Sequence, residues 1–146
     1  MSMPKKTIAN CSKCGNPVPV TIFHSVNTDY AEDIAEQIIS GELFNVKCDK
    51  CGFISHLEYD VLYNDMKHWA MVWVVHKEAP DYDERIVEAR SSRIIQYKIN
   101  RIVNDMNALR EKVACLEQNR DDRIIEFCKV FMTYNLLHEL ATVKNG

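Results

Sequence analysis

The chain has 146 residues, 47% of them apolar, which suffices for one compact core and a small appendage. Its 18 basic and 21 acidic residues leave a net charge of −3, so the chain as a whole is not attracted to nucleic-acid phosphates. The N-terminal residues 1–7 are not followed by an apolar run of the signal-peptide kind, and no later stretch approaches the length needed to span a bilayer. We therefore expect a cytoplasmic protein, in which clustered cysteines bind metal more often than they form disulfides.

Two short cysteine motifs share the pattern Cys-x-x-Cys-Gly. They are Cys11-Ser12-Lys13-Cys14-Gly15 and Cys48-Asp49-Lys50-Cys51-Gly52, called the first and second knuckle below. Two residues between the cysteines let both sulfurs point at one centre, and Gly adopts the positive φ that ends the turn. Four thiolates complete a tetrahedral shell for Zn²⁺ and suffice equally for a single iron. We predict that Cys11, Cys14, Cys48 and Cys51 bind one metal ion per chain, Zn²⁺ or alternatively iron.

The alternative for the knuckles is two independent reactive thiol pairs. A redox motif of the thioredoxin type needs its first cysteine at the start of a helix, where the helix dipole lowers the thiol pKa. The first knuckle is instead followed by Asn16-Pro17-Val18-Pro19, which does not start a helix. The duplication of the pattern favours a single metal site.

Between the knuckles, β-branched residues predict a strand over residues 18–26. Helical spacing of isoleucines predicts a helix from about Asp29 to Ser40, ended by Gly41. After the second knuckle, alternating residues 53–59 predict a strand, and a turn is expected at residues 63–65. Residues 69–75 are apolar on both faces, which is typical of a central strand covered on each side.

A charged stretch at residues 77–83 holds the last proline of the chain and suggests a domain boundary near residue 80. From Ile95 to Leu116, apolar residues recur in alternating steps of three and four, which predicts one long amphipathic helix. A second helix is expected after residues 119–122, with an apolar stripe too wide for a helix that stands alone. We expect the two helices to form an antiparallel hairpin, with dimerisation through them as the alternative.

The combined pattern resembles the bacterial and archaeal CpXC domain. The resemblance rests on the paired knuckles, on Ser40-Gly41-Glu42-Leu43-Phe44-Asn45, on Leu62-Tyr63-Asn64-Asp65 and on Asp121-Asp122-Arg123-Ile124-Ile125-Glu126. It covers most of the chain and implies that the metal ligands are the four knuckle cysteines. Ser12 and Asp49 stand where the family name has a proline, between ligands rather than at them. The resemblance implies no particular activity.

These observations predict an α+β protein: a zinc-ribbon-like small antiparallel sheet with an inserted helix (residues 1–80), followed by a C-terminal helical hairpin (residues 81–146). The expected function is that of a binding or adaptor module stabilised by a structural four-cysteine zinc site, with a protein partner that the sequence does not identify. A rubredoxin-like iron electron carrier is the main alternative, and a nucleic-acid-binding zinc ribbon is a weaker one. No catalytic motif gives a positive reason to expect an enzyme.

Overall fold

The structure, a computed structural model, describes residues 4–30, 33–91 and 97–144. The strands are β1 (Pro4–Asn10), β2 (Pro17–Phe23), β3 (Ser25–Asn27), β4 (Asn45–Lys47), β5 (Ile54–His56), β6 (Val61–Asp65), β7 (Ala70–Val74) and β8 (Ile99–Val103). The helices are α1 (Ile34–Ser40), α2 (Tyr82–Ser91), α3 (Met106–Glu117) and α4 (Asp122–Lys144), with short 3₁₀ turns at Thr28–Tyr30 and Glu42–Phe44. The protein is thus of mixed α and β structure, as the sequence predicts.

Two small antiparallel hairpins carry the knuckles. Strands β1 and β2 pair from Pro4 opposite Phe23 to Asn10 opposite Pro17, so the first knuckle is the loop that joins them. Strands β4 and β5 pair in the same way, and their last pair, Lys47 opposite Ile54, brackets the second knuckle. Each hairpin is a separate two-stranded sheet. Such a sheet is only marginally stable on its own in water, so each hairpin needs support from a neighbour.

A four-stranded sheet in the order β3-β6-β7-β8 forms the centre of the fold. β6 and β7 are antiparallel, whereas β3 runs parallel to β6 and β8 runs parallel to β7. The parallel pair β7 and β8 is joined by a crossover that contains α2, because parallel neighbours cannot be linked by a tight turn. The small antiparallel sheet predicted from the sequence is present as the two hairpins, whereas the central sheet, which is mixed, was not predicted.

The central strand β7 was predicted correctly from its apolar character on both faces. Ala70, Met71, Val72 and Val74 are all buried. The prediction of a turn at residues 63–65 was wrong, because these residues belong to β6 and Tyr63 is fully buried. Asp65 ends that strand with its side chain buried, and it accepts hydrogen bonds from the Tyr63 hydroxyl and the His68 backbone N–H. Polar residues in this segment therefore mark the end of a strand rather than a turn.

The long helix predicted from Ile95 to Leu116 is also wrong. Residues 99–103 form β8, which pairs with β7 from Ala70 opposite Ile99 to Val74 opposite Val103. The isoleucines and valine of this segment fit a helical spacing, but they are β-branched and favour a strand beside an apolar neighbour. The later part of the pattern is helical, and Met106, Leu109 and Val113 are buried along α3. Ile95 lies outside the described residues.

The inserted helix is shorter than predicted. A 3₁₀ turn at Thr28–Tyr30 precedes α1, which begins at Ile34, and residues 31 and 32 lie outside the described part. Gly41 ends the helix as predicted: it adopts φ 85°, and its N–H donates to the carbonyl oxygen of Ile38. A methyl group on Gly41 would lie 3.4 Å from the His56 ring. Glycine is therefore favoured at this position by the positive φ, since the surrounding atoms leave room for a methyl group.

The residue contacts divide the chain into two compact units, Met1–Ala114 and Cys115–Gly146. The boundary suggested near residue 80 by the composition stays a prediction. In the second unit, the apolar residues of α4 were expected to be covered, and in the structure most of them are exposed. The sequence shows that such side chains favour burial, but it does not show which surface buries them. No helix among the described residues is long and apolar enough to cross a membrane.

Replacing Gly41 with Ala should destabilise the fold by about 1–2 kcal/mol, because an L-residue pays that cost in the left-handed conformation. Urea unfolding followed by circular dichroism measures the change. Glu36→Ala, an exposed substitution within the same helix, is the control and should shift stability by no more than about 0.5 kcal/mol. Equal stability of Gly41→Ala and the wild type would contradict the assignment of Gly41 as an obligatory helix end.

Candidate metal centre

The two knuckles have the same backbone hydrogen bonds. In the first, the Gly15 N–H donates to the Cys11 carbonyl oxygen at 2.8 Å, and the Cys11 N–H donates to the Asn16 carbonyl oxygen at 2.9 Å. In the second, the Gly52 N–H donates to Cys48 and the Cys48 N–H donates to Phe53, both at 2.8 Å. The glycines adopt φ 69° and 70°, as the trailing-glycine argument predicts. Two copies of one local structure therefore present two cysteines each.

The fold brings the four sulfurs together. The Sγ atoms of Cys11 and Cys51 are 3.7 Å apart, and so are those of Cys14 and Cys48. All four Sγ atoms lie within 4.8 Å of one another. Each close pair consists of one cysteine from each knuckle. The S–S distances are too long for disulfide bonds, and all four cysteines are free. The cluster is thus one site made from both hairpins rather than two separate thiol pairs.

These distances fit a tetrahedral metal site. With metal–sulfur bonds of about 2.3 Å, the sulfurs of a tetrahedral shell lie about 3.8 Å apart. The two close pairs match that value. Thiolates are soft ligands, which suit Zn²⁺ and iron better than Mg²⁺ or Ca²⁺. The donor set and its spacing therefore allow a zinc or an iron ion, and they do not distinguish between the two.

Backbone N–H groups favour the thiolate form of the first cysteine in each knuckle. The N–H groups of Cys14 and Lys13 donate to the Cys11 sulfur and lower the pKa of Cys11 to about 6. The N–H groups of Cys51 and Lys50 do the same at Cys48 and lower its pKa. A hydrogen bond to the charged form of a group stabilises that form. Each knuckle therefore prepares one sulfur as a negatively charged ligand.

Cys51 shows the opposite shift. The Phe53 N–H donates to its sulfur and by itself lowers the pKa, but burial and the sulfurs of Cys14, Cys11 and Cys48 together raise the pKa of Cys51 to about 11. Nearby negative charges disfavour a further ionisation, so four adjacent thiols do not all lose their protons unaided. A bound dication removes this obstacle because it attracts all four thiolates.

The two hairpins also contact each other around the cluster. Cys11, Val18 and Cys48 form a small buried group, with Val46 and Cys51 packed against it. On the outside, Lys13 of the first knuckle lies over the ring of Phe53, with the ammonium nitrogen 5.9 Å from the ring centre. The sequence analysis did not identify these packing residues, because no motif in the sequence relates valines and a lysine on separate hairpins. Cys11 and Cys48 are buried, whereas Cys14 is exposed, so the site is open to solvent on one side.

The histidines near the knuckles lie outside the cluster. The ring nitrogen Nδ1 of His56 lies 2.6 Å from the Asn45 side-chain oxygen. His24 is not among the clustered ligand atoms found in the described residues and lines a separate groove. Of the two cysteines outside the knuckles, Cys115 is buried and Cys128 is exposed.

The separate groove has a volume of about 820 Å³ and lies in the first unit. Arg85 lines the groove and forms ion pairs with Asp60 and with Asp81. The Asp81 carboxylate oxygen lies 2.8 Å from the Arg85 Nε. The Arg85 guanidinium lowers the pKa of Asp81. These ion pairs connect α2 to Asp60, in the segment before β6, and to Asp81, which directly precedes the helix. The cysteine cluster remains the better candidate for a functional site.

Comparison with known proteins supports the same assignment. The model of the CpXC protein family matches residues 9–129, a span that contains both knuckles and the start of α4. No curated protein and no solved structure matches the chain. The match covers most of the 146 residues, and it agrees with the resemblance noted from the paired knuckles. The chain therefore belongs to the CpXC family.

Proposed function

We propose that this protein binds one Zn²⁺ per chain through Cys11, Cys14, Cys48 and Cys51, and that the ion is structural. The observation that carries the proposal is the spacing of the sulfurs, with two pairs at 3.7 Å across the knuckles. Four cysteines fill a tetrahedral shell and leave no open position for a substrate, which is typical of structural zinc. In this arrangement the two hairpins form a zinc-ribbon-like unit.

The role of the ion follows from the size of the hairpins. Strands β4 and β5 have three residues each, and within the described part of the chain their sheet contains no third strand. A metal ion held by both knuckles crosslinks this hairpin to the one formed by β1 and β2. Because the free thiols in an unfolded chain offer no preformed site, the free energy of metal binding becomes free energy of folding. The ion would thereby maintain a surface that binds another protein, so that the molecule acts as an adaptor rather than an enzyme.

A rubredoxin-like electron carrier is the second candidate. One iron in four thiolates would occupy the same shell, and the N–H donors at Cys11 and Cys48 would tune its potential. The exposure of Cys14 favours this candidate, because it leaves one ligand accessible to an electron-transfer partner. Nucleic-acid binding has less support, since the net charge is −3 and Lys13 is occupied against the Phe53 ring.

Elemental analysis should identify the ion. For protein purified without a tag and without added metal, we expect one zinc per chain and no visible absorption above the protein bands. One iron per chain with a red colour that reductant bleaches would replace the zinc proposal by the electron-carrier alternative. Protein that is folded and free of both metals would contradict both proposals.

Replacing Cys48 with Ser should lower metal content and thermal stability together, because the variant loses a buried ligand and with it the crosslink between the hairpins. Metal analysis and differential scanning calorimetry on the same sample measure both quantities. Cys128→Ser is the matched control, since Cys128 is exposed and lies outside the cluster. A metal-free Cys48→Ser protein with an unchanged Tm would refute a structural role for the ion.

Metal binding should release protons at neutral pH, because Cys51 in the metal-free site has a pKa of about 11 and must lose its proton to bind. The apparent affinity for Zn²⁺ should therefore rise with pH. As the pH is lowered, the affinity should decrease most steeply below about 6, the pKa of Cys11, because protons then compete with the metal for that sulfur as well. Titration calorimetry with Zn²⁺ in buffers of different ionisation enthalpy counts the protons. Binding without proton release at pH 7 would contradict the protonated state assigned to Cys51.

A further inference from the structure

The longest helix of the protein, α4, presents apolar side chains to solvent along most of its length. Nine large apolar residues between 124 and 140 are exposed by 52% to 70%: Ile124, Phe127, Val130, Phe131, Met132, Tyr134, Leu136, Leu137 and Leu140. Single exposed apolar residues are ordinary on protein surfaces, but six of the nine lie along one side of the helix, and a contiguous set of that size marks an interaction surface: Ile124, Phe127, Val130, Phe131, Tyr134 and Leu137. The set lies outside the knuckles, and the proposed metal site does not explain it.

Within this set, one line of residues has the spacing of a helix-pairing seam. Ile124, Phe127, Phe131, Tyr134 and His138 follow one another in steps of three, four, three and four. At 3.6 residues per turn they fall within about 80° of one another around the helix axis. We call this line the aromatic seam. Alternating steps of three and four are the spacing with which one helix packs along another.

Two pairs of rings in the seam lie against each other along the helix. The rings of Phe127 and Phe131 are stacked, with centres 6.5 Å apart and planes inclined by 14°. The ring of Tyr134 lies 6.4 Å from that of His138, one turn further on. Ordered rings lose little conformational entropy when a partner covers them, because aromatic side chains have few rotatable bonds.

We propose that the aromatic seam of α4 is a dimer interface, and that its occupant is the same helix of a second copy of this chain. The first argument is area. The seam with the flanking Val130 and Leu137 exposes on the order of 800 Å² of apolar side chain, given 150–250 Å² for each fully uncovered aromatic residue. The exposed area is the upper limit of what the seam can bury, and this limit reaches the roughly 800 Å² that each partner contributes to a protein interface of ordinary size.

The second argument is charge. Charged side chains of α4 have partners close by in the chain: Lys129 lies 3.4 Å from Glu126 on the same helix, and Arg123 pairs with Asp121, which directly precedes the helix. The aromatic seam itself contains no Asp, Glu, Lys or Arg. A partner of strongly acidic or basic character would gain nothing from such a surface, whereas an identical copy meets no repulsion on it. A two-fold contact places the same patch on both sides, which suits a neutral apolar surface.

The experiment compares two double variants of the full chain by sedimentation velocity and light scattering. Phe127→Asp with Phe131→Asp places charge in the seam, and Leu136→Asp with Leu140→Asp places the same charge on the opposite side of the helix. Leu136 and Leu140 are exposed to a similar extent, 58% and 52% against 70% and 57% for the two phenylalanines. The control thus matches the test variant in exposure and in added charge.

We expect the wild type to have the mass of two chains, the seam variant to have half that mass, and the control variant to remain a dimer. Far-UV circular dichroism and metal content of each variant show that the chain is still folded. A wild-type protein that is monomeric over a wide concentration range would overturn the proposal. A dimer that survives the seam variant, or that both variants disrupt equally, would overturn the assignment to the aromatic seam.

Discussion

The structure depends on placing four cysteine sulfurs within 4.8 Å of one another at the tips of two hairpins. Backbone N–H groups favour a thiolate at Cys11, and the crowding of sulfurs raises the pKa of Cys51. Four thiolates at this spacing would repel one another, and the backbone N–H groups alone do not neutralise their charge. A dication bound by the four sulfurs would balance this charge and would join the two hairpins into one unit.

The shared hydrogen-bond pattern of the knuckles explains why the clustering of the four cysteines could be predicted from sequence. All that a knuckle needs is local: two cysteines at the right spacing and a glycine that adopts positive φ, here Gly15 and Gly52. The strand β7 and the helix end at Gly41 were also predictable, because a run of apolar residues and a glycine influence the backbone conformation locally. These features required no knowledge of the distant chain.

The incorrect predictions concern segments whose structure depends on distant partners. Residues 99–103 fit a helical pattern, yet they form β8 because the adjacent β7 offers an apolar strand edge. The segment 61–65 looked like a turn and pairs instead with β3 and β7. In both cases a hydrogen-bond partner is remote in sequence, β7 for residues 99–103 and β3 for residues 61–65, so tertiary pairing overrode local propensity. The mixed strand directions of the central sheet could not be predicted from the sequence for the same reason.

The order of strands along the chain has a consequence for synthesis. All four clustered cysteines lie within the first 51 residues, whereas the central sheet is incomplete until β8, which ends at Val103, has been added. The sequence separation inside the cysteine cluster is at most 40 residues, which makes loop closure comparatively inexpensive. The thiols therefore emerge from the ribosome well before the strand that completes the sheet, and they meet the metal supply of the cell while the rest of the molecule is still being made.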